Sequence, residues 1–395
     1  MLRIAILGGG ISGLSLAYYL KKRANVTVFE KERPGGMIGT RSGGRFFFEM
    51  GPRTFSSSRC NELLKLIEEL NLSDDLIYAK PQKRYLYYKG KLRSVQGMAL
   101  RGLLRGGFQD FYAKPEKGEK TVHAFAAERF GNWVADHIFD AVTLGIYASS
   151  SKELSLDACF PSLVNIEGSL ILKALKSTQG SLFTLEKGMH QLVDALKEQY
   201  KIVEKNVTSL NLDADLIYST LPAYEMEQLT GDARFLQVRY NGITTVQLGY
   251  AHDVLKQKGF GYLVPSCYGL DVMGVVFDSC VFPQQNQQDG QTRLTVMLKA
   301  MDENQAIERA LKAVKEHLDI HEWPLEVHTH RYEKAIPQMG LGHQRLIEAL
   351  KRDHPNIVLA GSYVSGPAVN ACIKQARELA EQFANASSER LCALR

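Results

Sequence analysis

The chain lacks the features that define several large protein classes. It has no run of about 18 uninterrupted apolar residues, so no helix of it is expected to span a membrane. Its six cysteines, Cys60, Cys159, Cys267, Cys280, Cys372 and Cys392, are scattered. None forms a C-x-x-C pair or another metal-ligand spacing, so no metal site is expected. The pattern points instead to reduced thiols in a cytosolic or cytosol-facing protein. Repeats and low-complexity tracts are absent. Charge of one sign is also scarce overall. Against 48 basic residues stand 43 acidic ones, and the net charge of +5 is too small to suggest nucleic acid as a partner. The sharpest absence is local. Between Leu76 and Gln109 there is no acidic residue, yet Lys80, Lys83, Arg84, Lys89, Lys91, Arg93, Arg101 and Arg105 all lie there. That segment alone carries +8, leaving −3 for the rest of the chain.

What is present is ordinary globular composition, 45% hydrophobic and 23% charged over 395 residues, enough for two to three domains. Arg3–Leu7 reads as a buried parallel strand, Ser12–Arg23 as a helix and Val26–Glu30 as a second strand. The glycines Gly8, Gly9, Gly10 and Gly13 interrupt the first apolar run, which favours this strand–loop–helix reading over a signal sequence. Helical spacing recurs at Asn61–Leu70, from Val122 to Ala148, after Lys187-Gly188 and over Asn304–His317. Tyr85–Tyr88, Thr244–Tyr250, Gly261–Val264, Val272–Phe277 and Thr292–Leu298 read as strands. Asn356–Ala360 is a strand, followed by a glycine loop and a helix through Phe383. The tail after Ala384 is expected to be loose.

Gly8-x-Gly10-x-x-Gly13 sits between a strand and a helix, with Glu30 ending the next strand. In that setting the motif argues for a dinucleotide. Gly8 permits the turn, Gly10 lets backbone approach a pyrophosphate, and Gly13 lets helix and strand pack closely. The helix N-terminus offers free N–H groups to phosphate, and Glu30 can accept from a ribose.

The segments that follow resemble FAD enzymes of the amine-oxidase superfamily. Arg33-Pro34-Gly35-Gly36 is similar to their second glycine pair, one residue closer to Glu30 than usual. Glu49-x-Gly51-Pro52-Arg53 follows, and Gly361 with Gly366-Pro367-Ala368-Val369-Asn370 supplies a late glycine loop. Several further motifs resemble the oxygen-dependent protoporphyrinogen oxidase family over nearly the whole chain. They are Arg84-Tyr85-Leu86-Tyr87, Ser155-Leu156 through Cys159-Phe160-Pro161-Ser162-Leu163, Gly259 to Ser266, Ile336-Pro337-Gln338 with Leu341-Gly342-His343, and Leu359-Ala360-Gly361-Ser362 with Ala368-Val369-Asn370-x-Cys372-Ile373. Gln344 and Ser149 depart from the family pattern, and the chain is short for the family.

The resemblance implies FAD held by Gly8, Gly9, Gly10, Ser12, Gly13, Glu30, Lys31, Gly35, Gly36, Met37, Gly51, Pro52, Arg53, Thr54, Val207, Gly361, Ala368, Val369 and Asn370. Val207 reads equally well as plain core. It also implies an α/β fold with a Rossmann-like FAD-binding domain of discontinuous segments (1–75, 180–236 and 344–395), a mixed-sheet substrate domain (76–90 and 237–343) and an inserted helical membrane-associating domain (91–179). The implied reaction is three two-electron oxidations of a porphyrinogen with O2, giving hydrogen peroxide. Flavin N5 would accept hydride from a CH2 bridge, and pyrrole N–H groups release the protons, so no protein base is assigned. Arg84 would bind a substrate propionate, with Gly145, Phe260, Leu263 and Met297 around the ring. His123 and His343 read as structural. Lys89–Tyr112 mixes cations with apolar and aromatic groups, which suits a membrane surface. A cytoplasmic protein on the inner face of the cell membrane, a homodimer and hand-off to a ferrochelatase complete these expectations. Coproporphyrinogen III as substrate, another amine-oxidase-type activity, and a non-enzymatic FAD-fold binding protein resembling a Rab GDP-dissociation inhibitor remain the alternatives.

Overall fold

Arg3–Leu7 is enclosed from Ile4 onward, as an unbroken apolar run between two strands must be. The computed structural model describes residues 1–112, 118–164, 166–176 and 180–393. The strand lies at the centre of a five-stranded parallel sheet in the order Lys201–Glu204, Asn25–Glu30, Arg3–Leu7, Leu216–Ser219, Ile357–Leu359. Three distant stretches of chain therefore build one sheet. Helix Ile11–Leu20 and the C-terminal helix Val369–Ala393 pack on it, setting Leu16, Ala17, Leu20, Ala376 and Ala380 against Ile4, Ile6, Val26 and Val28. The first helix stops before the cationic trio expected to end it, because the Arg23 and Ala24 amides turn back onto the Leu20 carbonyl. The last helix corrects the expected loose tail. Its backbone runs on to Ala393, since no proline or glycine after Ala384 interrupts the ladder.

The second sheet has seven strands, in the order Glu326–Pro337, Tyr240–Tyr250, Thr292–Lys299, Val272–Val276, Gly261–Leu263, Arg84–Tyr88, Lys91–Ser94. It is mixed: Gly261–Leu263 runs parallel to Arg84–Tyr88 and every other pair is antiparallel. One face is a dry core in which Val246, Leu248, Tyr262, Val275, Leu294, Val296 and Leu298 meet Ala306, Ala310 and Val314 of helix Glu303–Leu318. The opposite face packs against the helix Asp140–Tyr147 through Leu86 and Leu263.

Helices occupy much of 91–176, beginning with Val95–Gly106 and Val122–Phe130. The residues 113–117, 165 and 177–179 of the expected helical domain, and the side chains of Phe108 and Cys392, lie outside the described residues. Among those described, no helix is long and apolar enough to cross a membrane, and the other five cysteines are free thiols. The acid-free segment ends at a buried ion pair. Asp110 meets the Arg129 guanidinium at 3.1 Å, both almost fully enclosed, and takes further bonds from the Ser169 hydroxyl and the Ile171 amide. Removing one partner strands a buried charge. Asp110→Ala is expected to lower unfolding stability by about 3–5 kcal/mol in urea titrations; a loss below about 1 kcal/mol would show that water already solvates the pair.

Candidate active site

The glycine loop forms the first half of the site. Helix Ile11–Leu20 has no side-chain cap and no acidic residue in its first turn, so its N-terminal amides are free to meet an anion. A Cβ on Gly10 would meet nothing within 4 Å, so open space lies before those amides. Gly35 bonds Gly9 across this space through its amide, 2.8 Å from the Gly9 carbonyl. Gly13 is required by packing, because a Cβ there would sit 2.0 Å from the Gly8 carbonyl. Glu30 ends its strand with one oxygen 2.6 Å from the Gly9 amide and the other 3.0 Å from the Glu32 amide. Those bonds fix the carboxylate and leave it acceptor capacity for hydroxyls. Val207, half-buried, follows Lys205, whose amide bonds the Glu30 carbonyl. An uncapped helix start, an open glycine cradle and an oriented carboxylate fit the pyrophosphate and ribose of FAD.

Other expected cofactor residues carry structural duties. Lys31 pairs with Glu225 at 2.8 Å. Asn370 gives its carbonyl oxygen to the Leu63 amide at 3.0 Å. Met37 accepts from the Tyr332 hydroxyl, and a Cβ on Gly51 would lie 1.9 Å from the Met37 carbonyl. Gly361 turns at φ +94 against Thr220, just before the short helix Ser362–Ser365. Ser12, Ala368 and Val369 line the same helix starts, while Pro52 and Thr54 flank Arg53. Arg53 reaches across to the second sheet, 3.1 Å from Asp278 and bonded to Thr295. Beside it Glu49 is buried, accepting from the Met189 amide at 2.7 Å and the Thr40 hydroxyl at 3.0 Å. Burial pushes its carboxyl up to about 7. A carboxyl raised on folding keeps its proton longer in the native state, so its contribution to stability falls as pH rises from 4.5 toward that value. Glu49→Gln retains an acceptor for Met189 and removes the titration. The variant should lose less Tm than the wild type between about pH 5 and about pH 8; parallel profiles would contradict this.

The second half of the site is written in strand register. Leu86, Leu263, Gly274, Met297, Thr245 and His330 form one row across the mixed sheet. Arg84, Gly261, Val276, Thr295, Gln247 and His328 form the row two residues along, on the same face. Leu263 and Met297 are only half-buried although their strand neighbours are enclosed. Gly145 backs onto this face: a Cβ on it would lie 2.7 Å from a Leu263 methyl. The Arg84 guanidinium lies over the Phe260 ring at 5.3 Å and has no carboxylate partner among the described residues. Loss of hydration beside the ring and then the like charge of Arg59 lower its pKa, although the residue as a whole stays exposed. Arg84, Leu263 and Met297 thus share one face, with Phe260 against Arg84 and Gly145 against Leu263.

Sequence reasoning missed Thr220, Asp278, Glu49 and His330. Glu49 belongs to the Glu49-x-Gly51-Pro52-Arg53 motif, and the alternation Val327-His328-Thr329-His330 is a strand signal; Asp278 has none. His330 stays neutral longer than a free imidazole, through burial and the nearby Arg33 and Arg41. His343 bonds the Tyr363 carbonyl and His123 bonds Asp136. Gln344 lies on the surface, bonded to the Asp157 carbonyl.

The family model "Flavin containing amine oxidoreductase" matches residues 11–383. The chain belongs to that family. It is an FAD-dependent oxidoreductase. A protein named "Protoporphyrinogen oxidase" from Homo sapiens is 29% identical, the match covering 95% of this chain and 97% of the human one. One of the same name from Schizosaccharomyces pombe is 26% identical over 97% of this chain and 98% of its own. Among solved structures, "reduced UDP-Galactopyranose mutase" matches with a TM-score of 0.78 at 13% identity over 98% of this chain and 94% of its own. Cyclohexylamine oxidase from Brevibacterium oxydans matches at 0.68 and 16%, over 97% and 99%. Mutase and oxidase share this flavin amine oxidoreductase fold, so the reaction must be read from the site.

Proposed function

We propose that this enzyme oxidises protoporphyrinogen IX to protoporphyrin IX, with O2 as the acceptor and hydrogen peroxide as the second product. The observation that carries the reading is Arg84. A guanidinium stacked on Phe260 and without a carboxylate partner among the described residues, at one end of a face bearing Leu263 and Met297, suits a substrate with a carboxylate on a broad apolar disc. FAD supplies the two-electron acceptor when bound. The protein's part is placement. Arg84 anchors a propionate, Phe260, Leu263 and Met297 hold the disc, and Gly145 lets Leu263 pack closely beneath it. Excluding water from an apolar slot and fixing the reacting carbon are the main contributions such a surface makes. Pyrrole N–H groups can shed protons by tautomerisation, so the account needs no protein base. The named relatives across kingdoms support the same substrate class.

The basic segment supports a peripheral place on an anionic membrane, on the cytoplasmic side. Leu100 and Leu104 face outward among its cations. A poorly soluble product favours delivery along that surface to a ferrochelatase, and a homodimer is the assembly expected. Purified enzyme should generate porphyrin fluorescence and peroxide from protoporphyrinogen faster than from coproporphyrinogen. A preference for coproporphyrinogen would reassign the substrate, and no fluorescence from either would refute the proposal.

A further inference from the structure

We propose that the groove at the open edge of the mixed sheet is a headgroup pocket for an anionic phospholipid. The inference rests on the reading that the basic segment faces a membrane, and it adds a discrete site to that reading. The groove encloses about 760 Å³ between the strand pair Arg84–Ser94 and the helix Val95–Gly106. Lys83, Arg93 and Arg101 bring three cations to it, from just before the strand pair, from its second strand and from the helix that follows, and its lining contains no carboxylate among the described residues. Among the described residues none of the three has an acidic partner. Arg101 instead lies over the Tyr88 ring at 5.3 Å. Cations held together without counter-charge favour an anion between them. Lys91–Ser94 is the last strand of its sheet, so the groove opens at an edge.

The adjoining helix indicates which anion. It turns Met98 and Gly102 inward; Met98 is buried, and a Cβ on Gly102 would lie 2.5 Å from a Val134 methyl. Roughly opposite, at i and i+4, stand Leu100 and Leu104, 60% and 76% exposed. A free phosphate or dicarboxylate would satisfy the cations and leave both leucines in water. At a bilayer boundary the leucines meet acyl chains while the arginines meet phosphate. The groove is also distinct from the substrate face. Arg84 stacks on Phe260, whereas Lys83 and Tyr85 on either side of it line the groove.

The test uses holoenzyme carrying Trp323→Phe. Trp133, beneath Arg105 at 5.2 Å, is then the single tryptophan reporter. Co-sedimentation is measured with vesicles of phosphatidylcholine alone and of phosphatidylcholine with phosphatidylglycerol. The protein should prefer the anionic vesicles by at least about tenfold, and Arg93→Glu/Arg101→Glu should abolish most of that preference. Soluble glycerol phosphate should change Trp133 fluorescence and compete with the vesicles, in the parent but not in the double variant. Arg93→Gln/Arg101→Gln, which introduces no new charge, should show the same loss in weaker form. Vesicle binding that glycerol phosphate fails to compete would mean diffuse adsorption and overturn the pocket. Binding of glycerol phosphate or inorganic phosphate without vesicle binding would overturn the lipid assignment. Porphyrinogen oxidation in detergent should be unchanged in both double variants, so failure of the oxidase reading is seen separately.

Discussion

Arg84→Ala should raise KM for protoporphyrinogen by about ten- to a hundredfold, the range expected for one charge-assisted hydrogen-bonded contact. Flavin content and thermal stability should stay at parent values, because the guanidinium makes no ion pair in the described structure and contacts chiefly the Phe260 ring. Arg84→Lys keeps the charge and loses the planar fork, so it should fall between parent and alanine variant. Steady-state kinetics read by porphyrin fluorescence, alongside flavin absorbance of the same preparations, check this. Unchanged KM would remove Arg84 from the substrate site and would leave the basic segment without a catalytic part.

The glycine loop gives the other large effect, and it separates folding from binding. At Gly13 any Cβ meets the Gly8 carbonyl at 2.0 Å and the Thr220 hydroxyl at 2.9 Å, so Gly13→Val forces helix Ile11–Leu20 off the strand it covers. That variant should lose several kcal/mol of stability, about 3 or more, and be isolated colourless or insoluble. At Gly10 the same branch meets open space. Gly10→Val should therefore fold, keep the unfolding transition of flavin-free parent protein, and bind FAD at least about tenfold more weakly, since the side chain fills the space before the helix amides. A yellow, fully loaded Gly10→Val protein would show that the cofactor does not lie against this turn.

These two glycines also show what was legible in the sequence. Gly8, Gly10, Gly13 and Glu30 act over fewer than two dozen residues, and their spacing is the spacing of one strand, one turn and one helix. That local geometry could be read directly. Leu263 and Met297 were reached only through resemblance. Their meeting depends on which strands pair and in what register, and alternation alone says that one face of each strand is buried, not what lies opposite. Glu49, Arg53 and Asp278 were harder still. Arg53 and Asp278 are 225 positions apart, and nothing in either neighbourhood announces the other. The Asp110–Arg129 pair explains why acidic residues resume at Asp110: that carboxylate neutralises a buried arginine, while the eight cations before it have a different task. The tail expected to be loose is helical to Ala393 for a simpler reason, since nothing after Ala384 breaks a helix.

In the proposed reaction a porphyrinogen gives its electrons to the flavin of this site. The direct measurement is to mix the purified yellow enzyme with protoporphyrinogen under strict exclusion of oxygen and follow flavin absorbance and porphyrin fluorescence together. The flavin should bleach as it takes the first electron pair with little porphyrin fluorescence, and admitting air should restore its colour, with peroxide and porphyrin forming over the further two-electron turnovers. A flavin that stays oxidised with porphyrinogens but bleaches on addition of a primary amine would contradict it.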